Sequence, residues 1–395
     1  MSFTQSHIVT AAKALAAIPS TADNLPALQQ AVDYIAGLLA GTPGITVERF
    51  EHNGKPSLLA YRGSVRPARF AILLNGHVDV VPGQPHQFRA RVENGKLYGR
   101  GVHDMKTAAV IMAGVFCDMV HAVPYELGLQ IVSDEEVGGY DGVVHQLQQG
   151  VQADFAVIGE HNFSPNVIYN AARGLCWIEV AFAGQTAHGG YVWHGSNAVV
   201  KASTFAQAVL QHYPVPDAEF WGTTANIAGI YTGNETFNRI PDNAVVKIDF
   251  RFTAEDDNFK DRASVEAFVR SIDPDATILG FHTMEQAVHV PESNPYLQTL
   301  ARALQQTTHI APQFQSRFAG SDGRHLQAAG CDVVEFGVMG HGPHSDEEYV
   351  EIAQLLPYQQ TLKTFLQHAQ QQPATRAHDA PRAKSTARSR IQQTA

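Results

Sequence analysis

The chain has 395 residues, 44% of them hydrophobic and 17% charged, with a formal net charge of -10. These totals exclude a disordered chain and argue against nucleic acid as a partner. The length leads us to expect about two to three domains.

Taken in order, residues 4–18 place Ile8, Ala12, Leu15 and Ile18 at helical spacing, and Pro19 stops them. Asp23 or Asn24 can cap a second helix that has Pro26 in its first turn and Leu28, Val32, Ile35 and Leu39 as its stripe. Apolar runs at 45–50, 57–61 and 70–75 read as strands, and Glu93-Asn94-Gly95-Lys96 as a hairpin turn. A buried helix is expected over 106–121, with strands at 127–133 and 155–159. This alternation predicts an α/β layer: a mostly parallel sheet flanked by helices.

From 175 the pattern changes. Residues 175–182 alternate as a half-exposed strand does. A helix near 197–212, strands near 226–231 and 244–253, a helix near 260–271 and a strand at 277–281 complete an inserted α+β block. Segments 296–306, 333–336 and 352–368 then resume the first layer. The expected organisation is a larger domain in two parts, 1–174 and 285–372, a smaller domain inserted over 175–284, and a disordered basic tail over 373–395.

Cys117, Cys176 and Cys331 form no Cys-x-x-Cys pair, so neither a disulfide framework nor a thiolate metal site is indicated. No leader pattern opens the sequence, and no apolar run approaches the ~20 residues of a membrane helix. We expect a cytoplasmic protein with no membrane partner.

The polar clusters fall at strand ends, where open α/β sheets bind ligands. His77-Val78-Asp79 closes the run at 70–75, and residues two apart on a strand share a face, so a carboxylate can orient an imidazole there. Gly99-Arg100-Gly101-Val102-His103-Asp104, Asp134-Glu135-Glu136, Gly159-Glu160-His161 and His344-Ser345-Asp346-Glu347-Glu348 follow. Imidazole with carboxylate suits zinc, cobalt or manganese. More acids gather than one ion needs, which suggests two ions sharing a bridging acid.

These motifs, His-x-Asp-Val-Val-Pro, Gly-Arg-Gly-x-x-Asp-x-Lys, Asp-Glu-Glu-x-Gly-Gly and a late His-x-x-x-Glu, resemble those of the dizinc amidohydrolases. That family includes succinyl-diaminopimelate desuccinylase, acetylornithine deacetylase, aminoacylase and carboxypeptidase G. The resemblance spans about residues 4–371. Gly320-Ser321-Asp322-Gly323-Arg324 and Val333-Val334-Glu335-Phe336-Gly337 look most like the desuccinylase branch. Leu175 stands where that enzyme has serine, Ala319-Gly320 where it has Gly-Thr, and Thr107 where glycine is usual.

The resemblance implies that His77, Asp104 and Glu160 hold one divalent ion and Asp104, Glu136 and His344 the other, most simply zinc. It implies that residues 1–174 and 285–372 are the catalytic domain and 175–284 a lid and dimerisation domain, that Asp79 orients His77, that Glu135 is the general base, and that His188 reaches the oxyanion from the partner subunit of a homodimer. Asn238, Arg251, Arg173, Tyr191 and Arg324 are the implied substrate-binding residues. His103, His161 and His341 are off the matched positions and are left as structural. Glu at position 160 resembles the deacylases and carboxypeptidases. The expected substrate is an N-acylated amino acid. A small peptide cleaved by an exopeptidase is the alternative, and a non-catalytic binding protein on the same scaffold is a distant third.

Overall fold

The computed structural model describes residues 3–369. The expected tail from 373 lies outside the described residues.

The first helix is Gln5–Ala16, capped by the Thr4 side chain on the His7 amide. The second is Leu25–Leu39, capped by Asn24 with Pro26 in its first turn. The second lays its apolar stripe on strand Lys55–Arg62 and helix Thr107–Met119, and the first packs on that same helix and the turn Val102–Lys106; Ile8, Leu15, Val32 and Ile35 are fully buried. Helix Thr107–Met119 is buried on nearly every side, as its apolar composition requires.

Among the described residues the strands form one nine-stranded sheet and two four-stranded sheets. Strand Phe70–His77 sits near the middle of the large sheet, and all eight of its residues are buried. It pairs in parallel with Leu127–Val132 and Ala153–Ile158, and the latter pairs in parallel with Asp332–Glu335. Antiparallel strands Ile45–His52 and Lys55–Arg62 continue one edge, and Val167–Ala172 and Val288–His289 the other. The central strands share one direction, so their carboxyl ends form one row. His77 is in register with Val132, Asn75 with Ile158, and Ile158 with Glu335. The sequence places its acids just past those residues.

The second sheet is antiparallel, ordered Thr224–Tyr231, Asn243–Phe252, Gly174–Ala183, Thr277–Glu285. Strand Gly174–Ala183 alternates between buried and open positions along its length. Helices Ala198–His212 and Arg262–Ile272 cover one face and close a separate core around Ile178, Phe205, Phe250 and Phe259.

The third sheet joins Arg91–Glu93 and Lys96–Tyr98 to Tyr349–Glu351 and Gly340–His341. Its hairpin turns at Asn94 and Gly95, both at positive φ, as a two-residue hairpin loop prefers. This sheet brings residues from near position 100 beside those near 345.

Candidate metal centre

His77 ends its strand with an imidazole that is 1% exposed. Its Nδ1 faces the Asp79 backbone oxygen at 3.1 Å and the Asp79 carboxylate at 3.4 Å. Asp79 also accepts from the Glu136 amide at 3.0 Å. One buried carboxylate thus fixes both the imidazole and the acidic turn opposite it.

Asp104 lies in the buried turn Val102–Lys106, entered through Gly101 at φ 78°. A Cβ on Gly101 would come within 2.5 Å of Val80, so the turn needs glycine there. Glu348 ties the turn down. Its oxygens accept from the amides of Gly101, His103 and Asp104 at 2.9, 2.9 and 3.1 Å and from Arg100 Nη1 at 2.9 Å.

Asp104 spans two histidines. Its Oδ1 is 3.1 Å from His77 Nε2, and its Oδ2 is 3.2 Å from His344 Nε2. His344 adopts φ 64°, sparsely populated for a residue with a side chain, and this aims its ring at Asp104 and at Glu136, 3.1 Å away. Glu160 follows strand Ala153–Ile158 and lies 3.5 Å from His77. Gly337 packs so closely on Glu160 that a Cβ there would fall 2.2 Å from the Glu160 carbonyl oxygen.

Among the described residues, three groups bring metal-ligand atoms within 4.8 Å of one another: His77, Glu135 and Glu160; Asp104, Glu160 and His161; Asp104, Glu136 and His344. Every residue expected to hold metal is in one of them. Glu135 is also there, one residue from Glu136 on the short helical turn Glu135–Val137. His161, left as structural from the sequence, joins them as well. Its Nδ1 is 3.2 Å from Glu160 and 3.5 Å from Asp104.

The charges fit a cation. Hydrogen bonds that its ring donates to Asp104 and Glu136 push His344 up to about 10. Burial opposes protonation of His161, yet Asp104 and Glu160 push it up to about 9. Burial and Asp104 work against the Glu160 carboxylate, but His161 and His77 outweigh them and hold it near 2. Carboxylates that draw protons onto neighbouring imidazoles make a site that a divalent ion would neutralise. The donors are nitrogen and carboxylate oxygen, with no thiolate among them, as borderline-hard divalent ions prefer. Burial, then the Glu160 charge, pushes the Glu135 carboxyl well up.

The side chains that pack behind the expected ligands were not legible in the sequence. Arg317 is 7% exposed and pairs with Glu335 through Nε. Its Nη1 is 3.1 Å from His161 Nε2 and 3.9 Å from Glu160, and its guanidinium lies 4.4 Å from the Tyr169 ring centre. Asp322 is buried with neither oxygen hydrogen-bonded, and burial followed by the Asp134 charge pushes it up to about 8.

The expected substrate residues fall into three places. His188, Tyr191 and Asn238 are exposed on the inserted block. His188 Nδ1 accepts from the Gly190 amide at 3.1 Å, its ring is 5.6 Å from that of Tyr191, and Gly189 donates to the Asn238 carbonyl at 2.7 Å. Arg251 is paired with Asp249 at 2.9 Å. Arg173 donates to Thr224 Oγ1 at 3.2 Å and to the Phe220 carbonyl, and burial, then the Arg251 charge, lowers its pKa. Arg324 pairs with Glu285 at 2.6 Å and donates to the Ser321 and Gly138 carbonyls at 2.8 and 3.1 Å.

A family model described as peptidase family M20/M25/M40 matches residues 73–368. The chain belongs to this family. It is 28% identical over 352 residues to the succinyl-diaminopimelate desuccinylase of Herminiimonas arsenicoxydans, covering 82% of this chain and 90% of that one. It is 28% identical over 330 residues to succinyl-diaminopimelate desuccinylase 2 of a Ruegeria species, covering 79% and 83%. Among solved structures it resembles the aminopeptidase PepT from Bacillus cereus, with a TM-score of 0.72 at 16% identity over 92% of this chain and 98% of that one. It also resembles the M20 metallo-carboxypeptidase Sso-CP2 from Sulfolobus solfataricus, with a TM-score of 0.66 at 16% identity over 91% and 98%. These structural likenesses show the fold: a mixed α/β layer with a parallel-centred sheet and separate antiparallel sheets. Family membership makes the chain a metal-dependent hydrolase.

Proposed function

We propose that the chain hydrolyses the amide bond of an N-acylated amino acid, as a deacylase of the acetylornithine and succinyl-diaminopimelate kind. The observation that carries this reading is the placement of Asp104 between His77 and His344, with Glu160 and Glu136 beside them. His77, Asp104 and Glu160 would hold one ion, and Asp104, Glu136 and His344 the other. Zinc fits the donors best, and cobalt or manganese would also suit them. When bound, the ions supply Lewis-acid polarisation of the scissile carbonyl and a lowered pKa for the attacking water.

The chain's own residues supply the rest. Glu135, its pKa raised by burial, takes the proton of the attacking water and returns it to the leaving nitrogen. Asp79 holds the His77 ring through Nδ1. Arg251 and Asn238 receive the carboxylate of the amino acid, and His188 donates to the developing oxyanion.

In this reading residues 175–284 form the inserted domain between catalytic segments 1–174 and 285–372, and two such domains pair. The edge strand Thr224–Tyr231 and the exposed Tyr191, Val192, Trp193, Val200 and Phe237 support a homodimer. Pairing would carry the His188 loop toward the neighbour's ions. The test is to compare an N-acetyl amino acid with its carboxamide. Losing a charge-assisted contact to the carboxylate should cost about 1.5–3 kcal/mol in kcat/KM. Equal rates on the two would refute the assignment of Arg251.

A further inference from the structure

Strand Thr277–Glu285 of the second sheet ends close to where the chain crosses back to the large one, and Val288 already pairs there with Ala172. The last side chain of the strand, Glu285, reaches out of its own sheet toward the acidic turn. Its Oε1 accepts from the Tyr140 hydroxyl at 2.6 Å, and its Oε2 lies 2.6 Å from Arg324 Nε. The Glu285 and Arg324 side chains are each 12% exposed, so water screens the pair little.

Arg324 passes the contact on. Its Nη1 donates to the Ser321 carbonyl at 2.8 Å and its Nη2 to the Gly138 carbonyl at 3.1 Å. The next residue, His325, donates through Nε2 to that same Gly138 carbonyl at 2.8 Å, and its ring lies 5.1 Å from that of Tyr140.

Gly138 closes the turn Glu135–Val137. Its amide donates to the Glu135 carbonyl at 2.8 Å, and the Gly139 amide to the Asp134 carbonyl at 2.9 Å. Gly138 has φ 113° and Gly139 φ 71°. Two glycines in succession restrain a backbone least, so the setting of this turn depends on what grips it from outside. Asp79 grips one side through the Glu136 amide at 3.0 Å. Glu285, Arg324 and His325 grip the other. The Arg324 guanidinium is committed to Glu285, Ser321 and Gly138, which makes it a strut between the second sheet and the turn.

We propose that Glu285 is a positioning residue: acting through Tyr140 and Arg324, it sets the turn that carries Glu135 and Glu136 from the second sheet. The expected loss of turnover rests on the reading of Glu135 as the general base; the setting of the turn does not. Misplacing a catalytic group by about 1 Å can cost about 100-fold in rate.

Two variants test this. Glu285→Gln offers one side-chain oxygen where two are used, and Tyr140→Phe removes one hydroxyl and leaves the ion pair. Hydrogen exchange of the Gly138 and Gly139 amides is followed by mass spectrometry on the chelator-stripped protein. It should quicken about tenfold in Glu285→Gln and less in Tyr140→Phe, while strand Phe70–His77 exchanges as in wild type. On zinc-loaded protein, kcat for N-acetyl-L-alanine should fall about 10–100-fold in Glu285→Gln, with KM within about threefold of wild type. Unchanged exchange at Gly138 and Gly139 would overturn the inference, and so would equal quickening in strand Phe70–His77, which would mark a general loss of stability. A lower KM with kcat retained would also overturn it, since Glu285 would then only mask Arg324 from the substrate. Exchange is read without substrate. If wild-type protein holding its ions cleaves no N-acetyl-L-alanine, the amide-hydrolase reading loses support and the exchange result alone decides the role of Glu285.

Discussion

Glu348→Gln should unfasten Asp104 without touching any expected metal ligand. Two Glu348 oxygens accept four bonds, from the amides of Gly101, His103 and Asp104 and from Arg100. An amide nitrogen at either position would face two donors, because each oxygen accepts two of those bonds. Arg100, 3% exposed, would also lose its counter-charge. Breaking a buried ion pair by removing one partner costs about 3–5 kcal/mol. Outer groups that orient ligands typically change metal affinity by about 10–100-fold. We expect a fall in stability of that size by urea unfolding of the chelator-stripped protein, and weaker binding when a chromogenic chelator competes for zinc. A variant within about 1 kcal/mol of wild type with undiminished zinc affinity would refute the role given to Glu348, since a surface change costs no more than that.

Glu135→Gln should keep the protein's divalent ions, by elemental analysis, while turnover falls by about 10²–10⁴ or more; loss of an ion together with activity would make Glu135 a ligand, as its place beside His77 and Glu160 allows. Asp322 is raised from 3.8 to about 8, so the folded state holds its proton more tightly than the unfolded chain. Its contribution is complete below about pH 4 and is lost as pH rises through about 8. Against Asp322→Asn, which cannot ionise, chelator-stripped wild type should lose about 2–5 kcal/mol over that window by denaturant melts, and parallel pH profiles would contradict this. His188→Ala and Glu135→Gln chains, each inactive alone, should on random co-assembly recover about a quarter of wild-type activity, because half the dimers are mixed and each has one complete site. A dead mixed dimer, isolated by two tags, would place His188 outside the neighbour's site.

The parts of this site that could be read from the sequence are those with a local signature. An apolar run ended by an acid or histidine announces a buried strand whose carboxyl end faces a ligand, and His77, Glu136 and Glu160 all follow such runs. Asp104 could be read because Gly-Arg-Gly-x-x-Asp-x-Lys resembles a family motif; the turn that Gly101 opens is seen only in the fold. The residues that touch the ligands from behind lack that signature. Strand Gln313–Arg317 alternates polar residues with one phenylalanine and is mostly open, so nothing marked Arg317 as buried. Strand Val167–Ala172 was likewise not read, because Tyr169, Asn170 and two alanines interrupt its apolar run. Arg324 is one of the implied substrate-binding residues, yet it is already paired. Its partner Glu285 ends a strand of the other sheet, a contact that only the tertiary fold creates. His161 shows the same limit: a histidine beside Glu160 is unremarkable until the chain turns its Nδ1 toward Asp104.

In the proposed function, Asp104 with His77, Glu136, Glu160 and His344 would hold two divalent ions that make amide hydrolysis possible. The most direct test is to strip the protein with a chelator and titrate zinc back while following hydrolysis of an N-acyl amino acid. Ion content is measured at each point. Hydrolysis should be absent from the stripped protein and should reach a plateau at two equivalents per chain. Full activity at one equivalent, or none at two, would contradict this reading.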